Sequence, residues 1–385
     1  MNSEWINCEI ADLGNVVGGA TPSTKKIEYY NGEIPWITPK DLSDHKSRFI
    51  NRGERNITLE GLRSCSTQIL PKNTVLFSSR APIGYVAIAA NDLCTNQGFK
   101  SVIPNDKTDF MFLFYLLKYN KDAIENMASG TTFKEVSGAT MRKIVVRVPD
   151  LETQKKIAKV LSALDDKIEL NNQINKNLEE QAKSIYSKMF IESRPADYAN
   201  GTLNEIADIT MGQSPVGSSY NEEGLGEIFF QGRAEFDERF PTIRLYTTEP
   251  KRMAFANDTL ISVRAPVGDL NVAHKYCCIG RGLAAIHSKT NHQSFLLYTM
   301  FSLKRQLEVF NGEGTVFGSI NRDSLRNIAI YIPSIDKIND FENLVAPIDL
   351  EIRNNYDQIC ALQQIRDKLL PKLMSGEIDV DNVEI

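Results

Sequence analysis

From residue 151 to residue 191 the apolar positions recur at alternating spacings of three and four: Leu161, Leu164, Ile168, Asn171, Asn175, Leu178, Ala182, Ile185 and Met189. That 3.5-residue repeat is the seam of a coiled coil, not the 3.6-residue stripe of a helix lying on a globule. Pro149 and Asp150 open the stretch, the second being an N-cap residue type, and Pro195 lies just past its far end. At about 1.5 Å per residue such a helix makes a rod of roughly 60 Å, and one amphipathic rod needs a partner to bury its stripe. A second seam supplies it: Val345, Ile348, Ile352, Asn355, Ile359, Leu362, Leu369 and Leu373. It lies 184 residues on, with Ser334 after Pro333 in the capping place and Pro371 then Gly376 expected to end it. Asn171 and Asn355 occupy the same seam position, where a polar residue costs stability but fixes register.

The stretches before each rod also match. Residues 76–84, LFSSRAPIG, align with 260–268, LISVRAPVG. Cys94 and Gly98 align with Cys278 and Gly282, Gly130, Thr131 and Phe133 with Gly314, Thr315 and Phe317, and Arg142, Ile144 and Pro149 with Arg326, Ile328 and Pro333, all at the offset of 184. Nearer the start, Gly19, Pro22, Ile34 and Asp41 correspond to Gly212, Pro215, Ile228 and Glu235 at offsets of 193–194. The first copy therefore carries extra residues between 42 and 75. Each copy reads as mixed: strand-like runs at 74–77, 85–90 and 144–148 lie near turn residues, and an apolar helix is expected at 109–126 and again at 293–310. The fold class is α+β, in the order domain 1–149, helix 150–192, domain 193–333, helix and tail 334–385. Antiparallel pairing of the rods would relate the copies by an approximate two-fold axis. That geometry suits duplex DNA, whose readers commonly mirror its symmetry with two half-sites.

Charge alone does not decide for or against DNA. The net formal charge is −5, divided as +3 over 1–149, −1 over 150–192, −1 over 193–333 and −6 over 334–385. Most of the acidity sits in the last helix and tail, so a local basic face on either domain is open. The N-terminal MNSEWINCEI is unlike a signal peptide, and no apolar run is long enough for a membrane span. Six cysteines without a Cys-x-x-Cys pair and four histidines without ligand spacing point to reduced thiols, a cytoplasmic location and no metal site.

Catalytic patterns are weak. No G-x-x-x-x-G-K-[ST] phosphate loop occurs. Pro149-Asp150 with Asp165-x-Lys167 formally fits a nuclease pattern, but 165–167 falls inside a predicted rod. Gly312-Glu-Gly314-Thr-Val-Phe-Gly318 has the wrong spacing for a dinucleotide loop and reads as a turn.

As a set, IPWITPKDL at 34–42, LFSSRAPIG and its repeat, NQG at 96–98, SGTTF at 129–133 and LLPKLMSGEI at 369–378 resemble the specificity subunit of a type I restriction-modification system. The resemblance covers nearly the whole chain. It implies two target-recognition domains, each reading one half-site of double-stranded DNA, and spacer helices that set a gap. It also implies two methyltransferase subunits that modify adenines and restriction/translocase subunits that cleave. No catalytic residue, metal or cofactor is then expected in this chain. S-adenosylmethionine, ATP and Mg would belong to the partners. The Asn/Asp-Pro-Pro-aromatic motif of an amino-methyltransferase does not occur. The second copy departs mildly, with GRG at 280–282 and FFQGRAEF at 229–236. Two other readings are a fragment of a single-chain restriction-methylation enzyme, which the repeated plan and its start and finish disfavour, and a coiled-coil scaffold, which leaves the paired RAP[IV]G heads unexplained.

In this family the two heads generally read different half-sites, so residues identical in both copies should build the fold or hold phosphates. Arg80 and Arg264, each before Ala-Pro-[Ile/Val]-Gly, are the phosphate candidates; the structural alternative is an ion pair within the domain. Base readers should lie where the copies diverge. Those segments are 42–73, with Arg48, Arg52, Arg55 and Arg63, against 236–257, with Arg239, Arg244, Lys251 and Arg252. A second divergent pair is 134–139, opening on Lys134, against 318–323. Lys40, Gln231 and Arg233, from the motif and its departed counterpart, join the set. So do Gln97 and Arg281, each polar beside an identical glycine. For any one of these the ordinary alternative is a solvated surface side chain.

Overall fold

The computed structural model describes residues 5–383 apart from 44, 81, 130–133, 193–198 and 313–317. Pro195, the match of Gly130, Thr131 and Phe133 to Gly314, Thr315 and Phe317, and much of the 312–318 turn therefore lie outside the described residues. By contacts the chain forms two units: 1–170 with 358–385, and 171–357. Each unit joins one head to parts of both long helices.

The first helix runs from Leu151 to Tyr186, its last turns widening into π-helical geometry over Ser187–Glu192. Asp150 caps it as expected: the Thr153 amide donates to Asp150 Oδ1 at 3.0 Å, and this bond holds the carboxyl below its usual range. Helix two spans Ile335–Ser375. The Ile338 amide donates to the Ser334 carbonyl, but the Ser334 hydroxyl makes no capping bond among the described residues. Pro371 does not end this helix, contrary to the sequence expectation. It is exposed, so the carbonyl deprived of a partner one turn earlier can face water, and the helix closes at Gly376, whose φ of +74° suits glycine.

Every predicted seam residue is buried or half-buried. Within the first unit Arg366 meets Asp165 and Lys156 meets Asp381. Within the second, Asn355 Nδ2 donates to Asn175 Oδ1 at 2.9 Å, Asn175 Nδ2 donates to the Ile352 carbonyl at 3.2 Å, and Tyr186 packs on Phe341. Low numbers on the first helix meet high numbers on the second or, at Asp381, just past its end, so the pairing in each unit is antiparallel. Asn355 thus works through an amide partner across the seam, as register-fixing polar residues do.

The head of the first unit holds a five-stranded sheet ordered Gly14–Gly18, Lys100–Pro104, Val75–Ser79, Ile83–Ala89, Phe49–Ile50. A three-stranded sheet sets Tyr30–Ile37 between Arg55–Ile57 and Cys94–Thr95, the last pairing being parallel. The apolar helix expected at 109–126 is present but broken at Asn120, into Phe110–Tyr119 and Lys121–Asn126. It packs beneath the sheet in one core with Ile157, Val160 and Leu161 of the first spacer helix and Leu373 and Met374 of the second.

The second head repeats this plan. One sheet is ordered Ala207–Met211, Leu283–Ser288, Thr259–Ser262, Leu270–Val272. The other sets Glu227–Phe230 parallel to Cys277–Ile279. Its helix at 293–310 breaks at Leu303. Tyr186 and Phe190 of the first spacer, Phe341 of the second and Phe295 and Tyr298 of the head form one aromatic cluster. Phe341 is fully buried. Phe341→Ala should lower stability by about 3–5 kcal/mol, read as a drop in melting temperature of the full chain; a shift under about 1 °C would show that the cluster does not tie helix to head.

The LFSSRAPIG repeat is explained by its turn. Ser78 Oγ donates to the Pro82 carbonyl at 2.8 Å and accepts from the Tyr85 amide at 2.8 Å. Ser262 does the same with Pro266 and Asp269 at 2.7 and 3.0 Å. Gly84 and Gly268 follow at φ of +94° and +95°, which a side chain would strain.

Candidate nucleic-acid interface

The parallel strand pair in each head sends two loops out side by side, and the other candidate loops bond to these. In the first head the Asn96 amide donates to the Ile37 carbonyl at 3.0 Å, and Ser79 N donates to Gly98 O at 2.7 Å. The second head repeats both bonds, Gly280 N to Phe230 O at 2.8 Å and Val263 N to Gly282 O at 2.9 Å. Gly98 and Gly282 are glycine because a Cβ would meet the Pro39 ring at 2.8 Å in one head and the Gln231 carbonyl at 3.2 Å in the other. Their neighbours Gln97 and Arg281 are exposed at the tip.

Around this scaffold the first head gathers Lys40, Arg52, Arg80, Gln97 and Lys134. Thr21 Oγ1 donates to Gln97 Oε1, and Lys40 pairs with Glu54 at 2.9 Å in the open. Arg52 adjoins Gly53, whose backbone lies against Asp41. Arg80 is half-exposed and 3.7 Å from Glu135, a carboxylate shared with Lys100 at 3.1 Å. Its position therefore suits both a phosphate role and an ion pair within the domain. The second head gathers Gln231, Arg233, Arg244, Arg264 and Arg281. Arg281 N donates to Ser214 Oγ at 3.2 Å, and Arg264 pairs by its backbone with Ser319. Arg233 bonds Asp269, and Arg244 meets the buried Glu235 at 3.0 Å. Among the described residues Arg52, Lys134, Gln231, Arg264 and Arg281 are exposed and their side chains have no hydrogen-bond or ionic partner.

Arg48 is a correction. Only 6% exposed, it does not reach solvent: its guanidinium bonds Asp166 and, at 3.1 Å, Glu169 on the first spacer helix. Burial works against the charge, but the bonds to Glu169 and Asp166 outweigh it and raise the pKa further. Arg239, from the divergent segment of the second copy, is likewise withdrawn, bonding Glu179 at 3.3 Å and Asp349. Sequence reasoning missed Thr21, Lys100 and Glu135 at the rim. Thr21 could have been found from its place inside the Gly19…Pro22 match; Lys100 aligns in sequence with Ala284 of the other copy and gave no signal.

The nuclease-like pattern is absent as a site. Asp150 caps the helix and Asp165 accepts from Tyr115 Oη at 2.6 Å and Arg366 at 2.7 Å. Asp165 lies fifteen residue steps along the helix from Asp150, about 22 Å away. Among the described residues no cluster of acids, histidines and cysteines could hold a metal ion, and no helix is long and apolar enough to cross a membrane.

Comparison with known proteins agrees with this two-headed plan. The model of the type I restriction modification DNA specificity domain matches residues 2–180 and again 195–351. The type I restriction enzyme MjaIX specificity subunit of Methanocaldococcus jannaschii is 33% identical over 417 residues, covering 99% of this chain and 95% of that one. The HindI specificity subunit of Haemophilus influenzae is 28% identical over 179 residues, 46% of this chain and 39% of that one. The fold is also that of a type I restriction-modification S subunit from M. genitalium, at a TM-score of 0.60 and 18% identity over 97% of this chain and 96% of the other. With two matched copies and a full-length relative, the chain belongs to the type I restriction modification DNA specificity family.

Proposed function

We propose that this chain is the DNA sequence-recognition subunit of a type I restriction-modification complex, with the heads 1–149 and 193–333 each reading one half-site of double-stranded DNA. One observation carries the reading: the rims share a backbone scaffold yet present different polar side chains at the same place, Gln97 in one and Arg281 in the other. A glutamine amide matches an adenine edge in the major groove and an arginine fork matches guanine. The methyl transfer, with its S-adenosylmethionine, is assigned to two methyltransferase subunits. Cleavage, with ATP and Mg, is assigned to restriction/translocase subunits. Purified alone, the chain should leave duplex DNA neither methylated nor cut, and with its methyltransferase subunit it should direct adenine methylation to one bipartite motif. Turnover of S-adenosylmethionine by the rigorously purified chain would sink the proposal.

Phosphate contact by Arg80 and Arg264 is part of the same reading. Arg80→Ala and Arg264→Ala should weaken binding to cognate and scrambled duplexes alike, and each should reduce the salt slope by about one, the signature of a single phosphate no longer neutralised. The effect should be larger at Arg264, which among the described residues has no carboxylate partner. Unchanged affinity across a salt series in the folded variants would make both residues bystanders.

A further inference from the structure

The arginines withdrawn from the rims take part in a pattern that occurs in both units. In the first, fully buried Tyr115 donates to Asp165 of the spacer helix at 2.6 Å, Arg366 of the other helix reaches the same carboxylate at 2.7 Å, and Arg48 bonds Asp166 and Glu169 just along the helix. In the second, Tyr298 donates to Asp349 at 2.9 Å, and Arg239 bonds Asp349 and reaches Glu179 of the other helix at 3.3 Å. Asp165 and Asp349 differ by the repeat offset of 184, Tyr115 and Tyr298 by 183. Arg48 and Arg239 come from the segments whose lengths diverge, at an offset of 191, and still arrive at equivalent work. Burial, then the neighbouring aspartate charge, pushes the Tyr115 phenol up and keeps it a donor.

Apolar packing holds each head to its helices, and directional bonds add a further constraint on the angle between them. Buried ionic networks add little net stability for their desolvation, and their best-attested role is to fix register. We infer that Tyr115, Asp165 and Arg48, with Tyr298, Asp349 and Arg239, are positioning residues that hold each head at one angle on its helices and thereby sharpen discrimination of the gap between half-sites. This rests on the recognition reading above.

The test uses the complex of the full chain with its methyltransferase subunits, on duplexes whose gap varies one base pair at a time. The Tyr115→Phe/Tyr298→Phe double variant keeps both rings packed and removes only the hydroxyl bonds; Arg48→Met/Arg239→Met removes the forks. The methylated half-sites should stay the same. The ratio of methylation at the best gap to that one base pair away should fall about tenfold, the size of one hydrogen bond to a charged group. A ratio within about twofold of wild type, even with a lowered melting temperature, would show a purely structural role and overturn the inference. If the arginine pair does not fold, the phenylalanine pair decides. A wild-type complex that methylates with no bipartite preference would overturn the recognition reading, and this inference with it.

Discussion

Exchanging residues 1–149 for the equivalent head of a relative should convert one half of the methylated site to a new sequence and leave the other half unchanged. The expected change at the exchanged half is close to complete, because each mismatched base pair costs about 1–3 kcal/mol and several are altered together. The basis is that Lys40, Arg52, Arg80, Gln97 and Lys134 belong to one unit, while Gln231, Arg233, Arg244, Arg264 and Arg281 belong to the other. The exchanged head must keep an arginine at 48 and a tyrosine at 115, since both bond the spacer helix. Methylation mapped on random-sequence DNA reads the outcome. Loss or change of both halves in a folded, active chimera would mean that the heads read DNA jointly.

The second large effect concerns length. Four residues inserted near Asn171, between Leu170 and Asn171, with four more near Asn355, between Asp357 and Gln358, lengthen both helices where the units divide. The Arg366–Asp165 and Asn355–Asn175 bonds stay within their own units and are untouched. The helices grow by about 6 Å at 1.5 Å per residue. DNA rises about 3.4 Å per base pair, so the preferred gap should grow by about one or two base pairs while both half-sites persist. Four residues in a 3.5-residue repeat also rotate one part against the other, so activity at the new optimum should be lower than wild type. A gap profile on duplexes in single-base-pair steps measures this. An unchanged optimum would assign the helices to holding partner subunits and not to measuring DNA.

The long helices were legible because a 3.5-residue repeat held over many turns rarely arises outside a coiled coil, and because the copy at 184 residues distance repeated it. The RAP[IV]G turn was legible as a shared element, though its cause, a serine hydroxyl bonded to both sides of the turn, needed the fold. Strand order was not legible: which strand lies beside Tyr30–Ile37 depends on a parallel partner, Cys94–Thr95, far along the chain. Pro371 misled because helix-breaking is a local rule, whereas an exposed helix face tolerates the missing bond. Arg48 misled for the opposite reason. An arginine in a basic, divergent loop reads as a surface group, and nothing local reveals a carboxylate pair more than a hundred residues away on the spacer.

The most direct measurement is a map of adenine methylation in cells carrying the methyltransferase subunit, with and without this chain. The account predicts methylation at a single motif of two short half-sites separated by a fixed unspecified gap, present only when the chain is present. Methylation that is independent of the chain, or confined to one uninterrupted sequence, would contradict it.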